Sequence, residues 1–109
     1  MKYGKLKKTW QFSKVYQEGD KYYSNLFILY VLPNKICEIR VGLTVSKKVG
    51  KSVQRNRVKR LIREIVRSVK TFKPGYDLVF IARRSAVDIE YSKAKESIFY
   101  LLNRANILY

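Results

Sequence analysis

The sequence contains no histidine and only one cysteine, Cys37, among its 109 residues. Without a second cysteine the chain has no intramolecular disulfide partner, and without histidine it has no zinc site of the Cys/His type. The side chain that most often serves as general base near neutral pH is also missing. We therefore expect packing alone to stabilise the fold, and we expect no catalytic residue in this chain.

Acidic residues and long apolar runs are also scarce. The eight Asp and Glu residues are scattered along the sequence, whereas a self-sufficient nuclease needs clustered carboxylates to hold metal ions. No apolar run approaches the roughly 20 residues of a membrane span, and residues 1–10 lack the apolar stretch of a signal peptide. These absences predict a cytoplasmic protein with no membrane partner.

Positive charge is the component in excess. The chain has 24 Lys and Arg against 8 Asp and Glu, which gives a formal net charge of +16 at pH 7. Such a field repels itself unless an anion neutralises it, so the composition predicts a polyanionic partner, with nucleic acid first. Leu, Ile, Val and Phe make up 35 residues, well above the roughly 20% below which highly charged chains stay disordered. We expect one folded domain, residues 1–109.

Hydrophobic periodicity predicts an α+β domain in which helices pack on a roughly four-stranded sheet, in the order αβββαβα. Residues 1–8 carry four lysines and no acid, which favours a flexible basic arm. A first helix is expected over residues 9–18, with Thr9 as N-cap and Gly19 in a left-handed conformation after its end. Further helices are expected over residues 52–70 and 89–103, and strands over residues 26–32, 39–45 and 76–82. The first two of these strands are expected to pair as a hairpin.

The helix expected over residues 52–70 has one apolar and one cationic side. Its apolar residues recur at helical spacing: Val58, Leu61, Ile62, Ile65, Val66 and Val69. The opposite arc of about 100°, here named the cationic face, holds Asn56, Lys59, Arg60, Arg63, Arg67 and Lys70, with Arg55 and Arg57 flanking it. Like charges stand four residues apart, as Lys59 and Arg63 do, which is unfavourable without an anion. The pattern favours phosphate binding over the alternative of an ordinary solvated face.

Aromatic residues favour RNA as the anion. Nine Tyr and five Phe offer flat surfaces for stacking unpaired bases. Phe12 and Tyr16 share one face of the first helix, and Tyr30 lies in a strand; a plain core role stays open for Phe12. DNA is disfavoured because neither a helix-turn-helix nor a leucine zipper accompanies the basic helix.

Residues 41–67, VGLTVSKKVGKSVQRNRVKRLIREIVR, resemble the signature of the protein subunit of bacterial ribonuclease P, including its Arg-Asn-Arg motif. Weaker similarity covers QFSKVYQEG, FILY and YDLVFIARR, in residues 11–19, 27–30 and 76–84. The resemblance implies a ribonucleoprotein that removes the 5′ leader of precursor tRNA, in which a catalytic RNA performs the chemistry with its own Mg²⁺ and this chain holds no cofactor tightly. It also implies a left-handed crossover through the basic helix, as in the fold class named after the second domain of a ribosomal protein.

The resemblance also implies roles by position. The catalytic RNA, near the cleavage site, would meet Arg55, Asn56, Arg57, Lys59, Arg60, Arg63 and Arg67. The single-stranded leader of precursor tRNA would meet Phe12, Tyr16, Tyr30, Lys47, Lys48, Arg83 and Arg84. Two alternatives stay open on the residues alone: a general RNA-binding structural protein, such as a ribosomal one, and a self-sufficient nuclease.

Overall fold

A mixed five-stranded sheet lies at the centre of the computed structural model, which describes residues 3–109. The strands are β1 (Gly4–Lys5), β2 (Asp20–Tyr23), β3 (Phe27–Pro33), β4 (Ile39–Thr44) and β5 (Tyr76–Ala82), and their spatial order is β1-β4-β5-β3-β2. The helices are α1 (Thr9–Glu18), α2 (Ser52–Ser68) and α3 (Tyr91–Arg104). The α+β class is confirmed, with one strand more than the four expected.

Strand β5 lies between β3 and β4, so the hairpin expected between those two strands is wrong. Leu78 of β5 stands opposite Val41 of β4 in a parallel pair and opposite Val31 of β3 in an antiparallel pair. Strands joined by a loop as short as residues 34–38 are usually neighbours, which is why the sequence favoured a hairpin. β4 instead reaches β5 through α2, as a parallel crossover, and the left-handed sense of this crossover stays a prediction.

Both faces of the sheet are buried. Leu78 and Phe80 of β5 pack under α2 and α3 in the larger core, whereas Val79 packs with Val15 of α1 and with Leu6 in a smaller one. A strand covered on both sides needs apolar residues at successive positions, which explains the unbroken apolar run from Leu78 to Ala82 in β5. The helices therefore lie on two sides of the sheet, with α1 alone on one of them.

The N-terminal segment joins the sheet, so the flexible arm expected over residues 1–8 is wrong for residues 3–8. Gly4 pairs with Arg40 and Lys5 with Val41, and the Leu6 side chain is buried beside α1. Residues 1 and 2 of the expected arm lie outside the described residues. Burial of the Leu6 side chain stabilises this segment against the sheet. The lysines around it do not oppose this, because their charged ends stay in water.

The ends of the helices differ from expectation in their caps. Lys8, not Thr9, is the N-cap of α1, and its backbone N–H donates to the Gln11 side chain at 2.9 Å. Gly19 has a φ of −80°, so it is not left-handed; its small size is needed because a Cβ there would lie 2.6 Å from the Val15 carbonyl oxygen. α2 ends at Ser68 rather than at residue 70, and α3 begins at Tyr91 rather than at residue 89.

Of the helices described, none has the length and apolarity needed to cross a membrane.

An ion pair crosses the start of β4 and β5. The Arg40 guanidinium donates Nε to Asp77 Oδ1 at 2.8 Å and Nη2 to Asp77 Oδ2 at 2.7 Å, and the Asn34 amide donates to Oδ1 at 2.8 Å. This bond raises the pKa of Arg40 above its usual value. Asp77 is only 5% exposed, so these three donors take the place of the water that its carboxylate would otherwise contact.

We predict that Asp77→Ala lowers the free energy of unfolding by about 2–3 kcal/mol, because it leaves the Arg40 charge and the Asn34 amide without their partner. Urea denaturation measures the change. Asp20→Ala removes the same charge from an exposed position of β2 and should stay within about 0.5 kcal/mol of the unmodified chain. Equal losses in the two variants would contradict the role given to the ion pair.

Candidate nucleic-acid interface

Three aromatic side chains gather between α1 and the sheet, and we name them the aromatic cleft: Phe12, Tyr16 and Tyr30. The ring centroids of Phe12 and Tyr16 lie 6.4 Å apart, and those of Tyr16 and Tyr30 lie 5.1 Å apart in an edge-on arrangement. Tyr16 is 36% exposed, while Phe12 and Tyr30 are half-buried. The sequence grouped these three residues, and the structure brings them together with ring surface left open to solvent.

Strand β4 forms the floor of the aromatic cleft. A Cβ on Gly42 would lie 2.6 Å from the Phe12 ring, so only glycine lets this ring lie against the strand. Two residues further on, the Thr44 hydroxyl shares a hydrogen bond of 2.8 Å with the Tyr16 hydroxyl. Both rings are thus positioned by residues that belong to the sheet rather than to a loop, Phe12 by the backbone of Gly42 and Tyr16 by the side chain of Thr44.

Basic residues cluster at one end of the sheet. β4 and β5 are parallel, so their carboxyl ends meet at the same edge. Lys47 and Lys48 lie in the short 3-10 helix Lys47–Val49 that follows β4, and Arg84 begins a second one, Arg84–Ala86, that follows β5 and lies beside the first. Lys47, Lys48, Arg83 and Arg84 are all exposed, and the Arg83 guanidinium donates to the Ser24 carbonyl oxygen at 3.2 Å.

The cationic face of α2 is open to solvent along most of its length. Asn56, Arg60, Arg63 and Arg67 are exposed, and Lys59 is half-buried. Lys70, the last residue of the predicted face, lies beyond the end of the helix at Ser68. The opposite side carries Val58, Leu61, Ile62, Ile65 and Val66 into the core, as their spacing predicted. The helix therefore presents one row of cations while its other side is fixed by packing.

The two outer arginines of the Arg-Asn-Arg motif have partners inside the protein. Arg57 Nη2 donates to the Ile89 carbonyl oxygen at 2.6 Å, and Arg55 Nη2 donates to the Ser52 hydroxyl at 3.1 Å. Both residues are half-buried, whereas Asn56 between them is exposed. Arg57 thereby connects α2 to the segment that leads into α3. We assign it a positioning part in the site, in addition to the RNA contact that the resemblance implies.

The cationic face and the aromatic cleft are joined by a hollow. Lys59 and Arg63 of α2 line it together with Phe12 of α1 and Lys5 of β1. Val41, Gly42 and Leu43 of β4 form its floor. The surface from the outer side of α2 to the aromatic rings is therefore continuous and consists of positively charged and apolar residues. A single ligand can contact all of it.

Charge pairing is sparse in the part of the chain that the structure describes. Residues 3–109 contain one salt bridge, that of Arg40 with Asp77, and no group of three Asp, Glu or Cys side chains placed to hold a metal ion. The positive charges around the hollow therefore keep their attraction for an external anion.

Two residues near the aromatic cleft, Lys21 and Tyr23, were not predicted from the sequence. Lys21 stands opposite Tyr30 in the pairing of β2 with β3, and its Nζ lies 5.4 Å from the Tyr30 ring centroid and 4.8 Å from that of Tyr23. The side-chain contact with Tyr23, and to a lesser degree that with Tyr30, raises the pKa of Lys21 above its ordinary value, because both contacts favour the charged ammonium. The alternation of Lys21 and Tyr23 in a strand was the available signal, but only the register shows that they face Tyr30.

Comparison with known proteins gives concordant matches over nearly the whole chain. The family model described as Ribonuclease P matches residues 1–106. A ribonuclease P protein component from Clostridium botulinum (strain Loch Maree / Type A3) is 48% identical over 109 residues, covering 98% of each chain. The RNase P protein of Staphylococcus aureus superposes with a TM-score of 0.91 at 33% identity, covering 99% of this chain and 100% of that one. The RNase P protein from Thermotoga maritima gives a TM-score of 0.84 at 28% identity, with coverages of 92% and 96%.

We predict that Arg57→Ala lowers the free energy of unfolding by about 1–2 kcal/mol, because the Ile89 carbonyl oxygen loses a charged donor. Arg60→Ala, which removes an exposed guanidinium from the same helix, should change it by less than about 0.5 kcal/mol. Thermal or urea unfolding of the two proteins without RNA makes the comparison. An unchanged stability of the Arg57 variant would show that the bond to Ile89 contributes nothing to the fold.

Proposed function

The chain belongs to the ribonuclease P protein family, and we propose that it binds the catalytic RNA and the 5′ leader of precursor tRNA side by side while the RNA removes the leader. The observation that carries this proposal is the hollow between the cationic face and the aromatic cleft, where Lys59 and Arg63 stand beside Phe12. Two kinds of RNA surface fit the two sides of this hollow, and the chain holds them next to each other.

The cationic face suits folded RNA. Double-helical RNA is contacted mainly through phosphates and 2′-hydroxyl groups, because its major groove is too deep and narrow for side chains. Arg60, Arg63 and Arg67 are exposed along one side of α2, and a guanidinium can bind a phosphate through two parallel hydrogen bonds. Arg57, held by Ile89, fixes the start of this helix against the rest of the domain.

The aromatic cleft suits a single strand. Unpaired bases stack on aromatic rings with a gain of about 1–3 kcal/mol each, independently of sequence. Phosphates that follow these bases meet Lys47, Lys48 and Arg84 at the neighbouring end of the sheet. Because only the precursor carries a leader, contacts in this cleft favour substrate over mature tRNA. The pairing of both sites on one protein thus gives substrate selection to an RNA that performs the cleavage.

The chain also lowers the electrostatic cost of bringing two RNAs together. Its positive charges reduce the repulsion between the phosphates of catalyst and substrate, so the complex forms at a lower concentration of free cations. The Mg²⁺ ions belong to the RNA in this proposal, where they supply Lewis-acid chemistry for the attack of water on the phosphate. The side chains of this protein bind and orient the two RNAs.

We predict that adding the purified chain to a ribonuclease P RNA at low Mg²⁺ raises the cleavage rate of precursor tRNA by about tenfold or more, equivalent to about 1.4 kcal/mol. A time course of leader release with and without protein measures this gain. The RNA alone at high Mg²⁺ is the control for its competence.

Other results of this experiment favour the alternatives. Tight RNA binding with no gain in cleavage would favour a general RNA-binding protein of the ribosomal kind and contradict the proposal. Cleavage of precursor tRNA by the chain with no RNA partner would favour a self-sufficient nuclease.

We predict that Arg60→Ala or Arg63→Ala weakens binding to the catalytic RNA and reduces the salt dependence of that binding. The slope of log K against log salt should fall by about 0.7–0.9 for each phosphate contact that is lost. Lys95→Ala removes the same charge from α3 and should leave the slope close to that of the unmodified chain. Equal slopes in all four proteins would show that the two arginines do not touch phosphate.

A further inference from the structure

A second aromatic surface continues the aromatic cleft beyond Tyr30. Lys21 and Tyr23 alternate along β2, and Lys21 is the register partner of Tyr30 in β3. The ammonium of Lys21 lies within 5.4 Å of the ring centroids of both tyrosines. Tyr16, Tyr30, Lys21 and Tyr23 therefore follow one another without a gap, from α1 to the outer edge of the sheet.

The outer part of this row is open to solvent. Tyr23 is 56% exposed and Lys21 is exposed, while Tyr30 is half-buried. Within the described residues no carboxylate forms a salt bridge with Lys21, so its charge stays available to an external phosphate. A largely exposed ring next to an ammonium that has no carboxylate partner can bind one nucleotide of a single strand, because the ring stacks the base and the cation meets the phosphate.

Beyond Tyr23 the surface opens into a hollow between the β2–β3 turn and α3. Ser24 and Asn25 of the turn and Lys93 and Tyr100 of α3 line it, and Tyr100 is 52% exposed. Glu96 lies in the same lining as Lys93, so these two charges offset each other, and the Lys21 ammonium on the other side of Tyr23 is the more favourable position for a phosphate. The polar side chains of the hollow can bond to the edges of a base.

We infer that Lys21 and Tyr23 form an outer leader subsite, in which a nucleotide of the 5′ leader beyond those held in the aromatic cleft stacks on Tyr23 and places its phosphate against Lys21. This inference rests on the proposed function. It gives the chain a leader footprint that is longer than the aromatic cleft alone provides. The alternative role for Lys21 is structural: a charged side chain on the exposed edge strand β2 prevents pairing with another chain.

The test is a leader-length series. Precursor tRNAs with leaders from two to twelve nucleotides are bound to the holoenzyme assembled with the unmodified chain, Lys21→Ala, Tyr23→Ala or Tyr23→Phe. We expect both alanine variants to match the unmodified chain on the shortest leaders and to bind about 5- to 20-fold more weakly once the leader reaches the outer subsite. Tyr23→Phe keeps the ring and should keep the affinity.

Three controls separate the possible outcomes. Tyr16→Ala should weaken binding at shorter leader lengths than the outer variants do, because its ring lies further inside. Lys95→Ala and Tyr109→Ala alter an exposed cation and an 82% exposed ring elsewhere and should follow the unmodified chain at every length. The shortest leaders show that each variant is folded and assembled.

The series also distinguishes this inference from the proposed function. If the unmodified chain gains affinity with leader length and Tyr16→Ala reduces that gain, but the Lys21 and Tyr23 variants follow the unmodified chain at every length, only the outer subsite is wrong. A loss that is equal at all lengths would also overturn it, in favour of a structural part in the hairpin. Affinity that does not depend on leader length in the unmodified chain would overturn both proposals.

Discussion

Burial of strand β5 on both of its faces is the constraint on which the rest of the structure depends. Phe80 needs α2 and α3 above it, and Val79 needs α1 below, so the three helices are distributed over two sides of the sheet. The same burial places β5 between β3 and β4 and makes it parallel to β4. The lysines after β4 and the arginines after β5 then emerge at one edge, next to the cleft that α1 forms with the sheet.

The charge of the chain is compatible with this core because the two are kept apart. α2 shows the separation most clearly, with Ile62 and Ile65 fully buried and Arg60 and Arg63 exposed on the other side. The guanidinium of Arg57 is the exception, since it turns inward to a backbone carbonyl. Arg57 lies at the flank of the cationic face, so its bond to Ile89 holds the start of that face against the rest of the domain.

The spacing of apolar residues along the sequence predicted most helices and strands. It did not predict which strands pair with one another. The bounds of β5 and α1 follow from apolar runs and their spacing, as do the buried positions of α2. The neighbours of β5 do not, because strand order depends on which faces must be covered by distant helices. β1 was missed because two residues carry no periodicity, and its anchor, Leu6, is a single apolar residue among lysines.

The candidate site divides in the same way. Phe12 and Tyr16 could be grouped from their spacing in a helix, and Tyr30 was a stacking candidate in a strand, but only the family resemblance placed all three in one cleft. Neither source relates Lys21 to Tyr30, because that relation exists only in the β2–β3 register. The hydrogen bond of Arg57 to Ile89 could not be predicted from the sequence either, because its acceptor is a backbone oxygen 32 residues further along the chain.

The scarcity of ion pairs links folding to partner concentration. With a formal charge of +16 and one salt bridge within residues 3–109, mutual repulsion lowers the stability of the free domain, and a bound polyanion relieves it. A ligand that binds only the folded state adds RT ln(1 + [L]/Kd) to the free energy of unfolding. A polyanion that binds the folded chain therefore raises its free energy of unfolding, and removing that polyanion lowers the resistance of the chain to proteolysis.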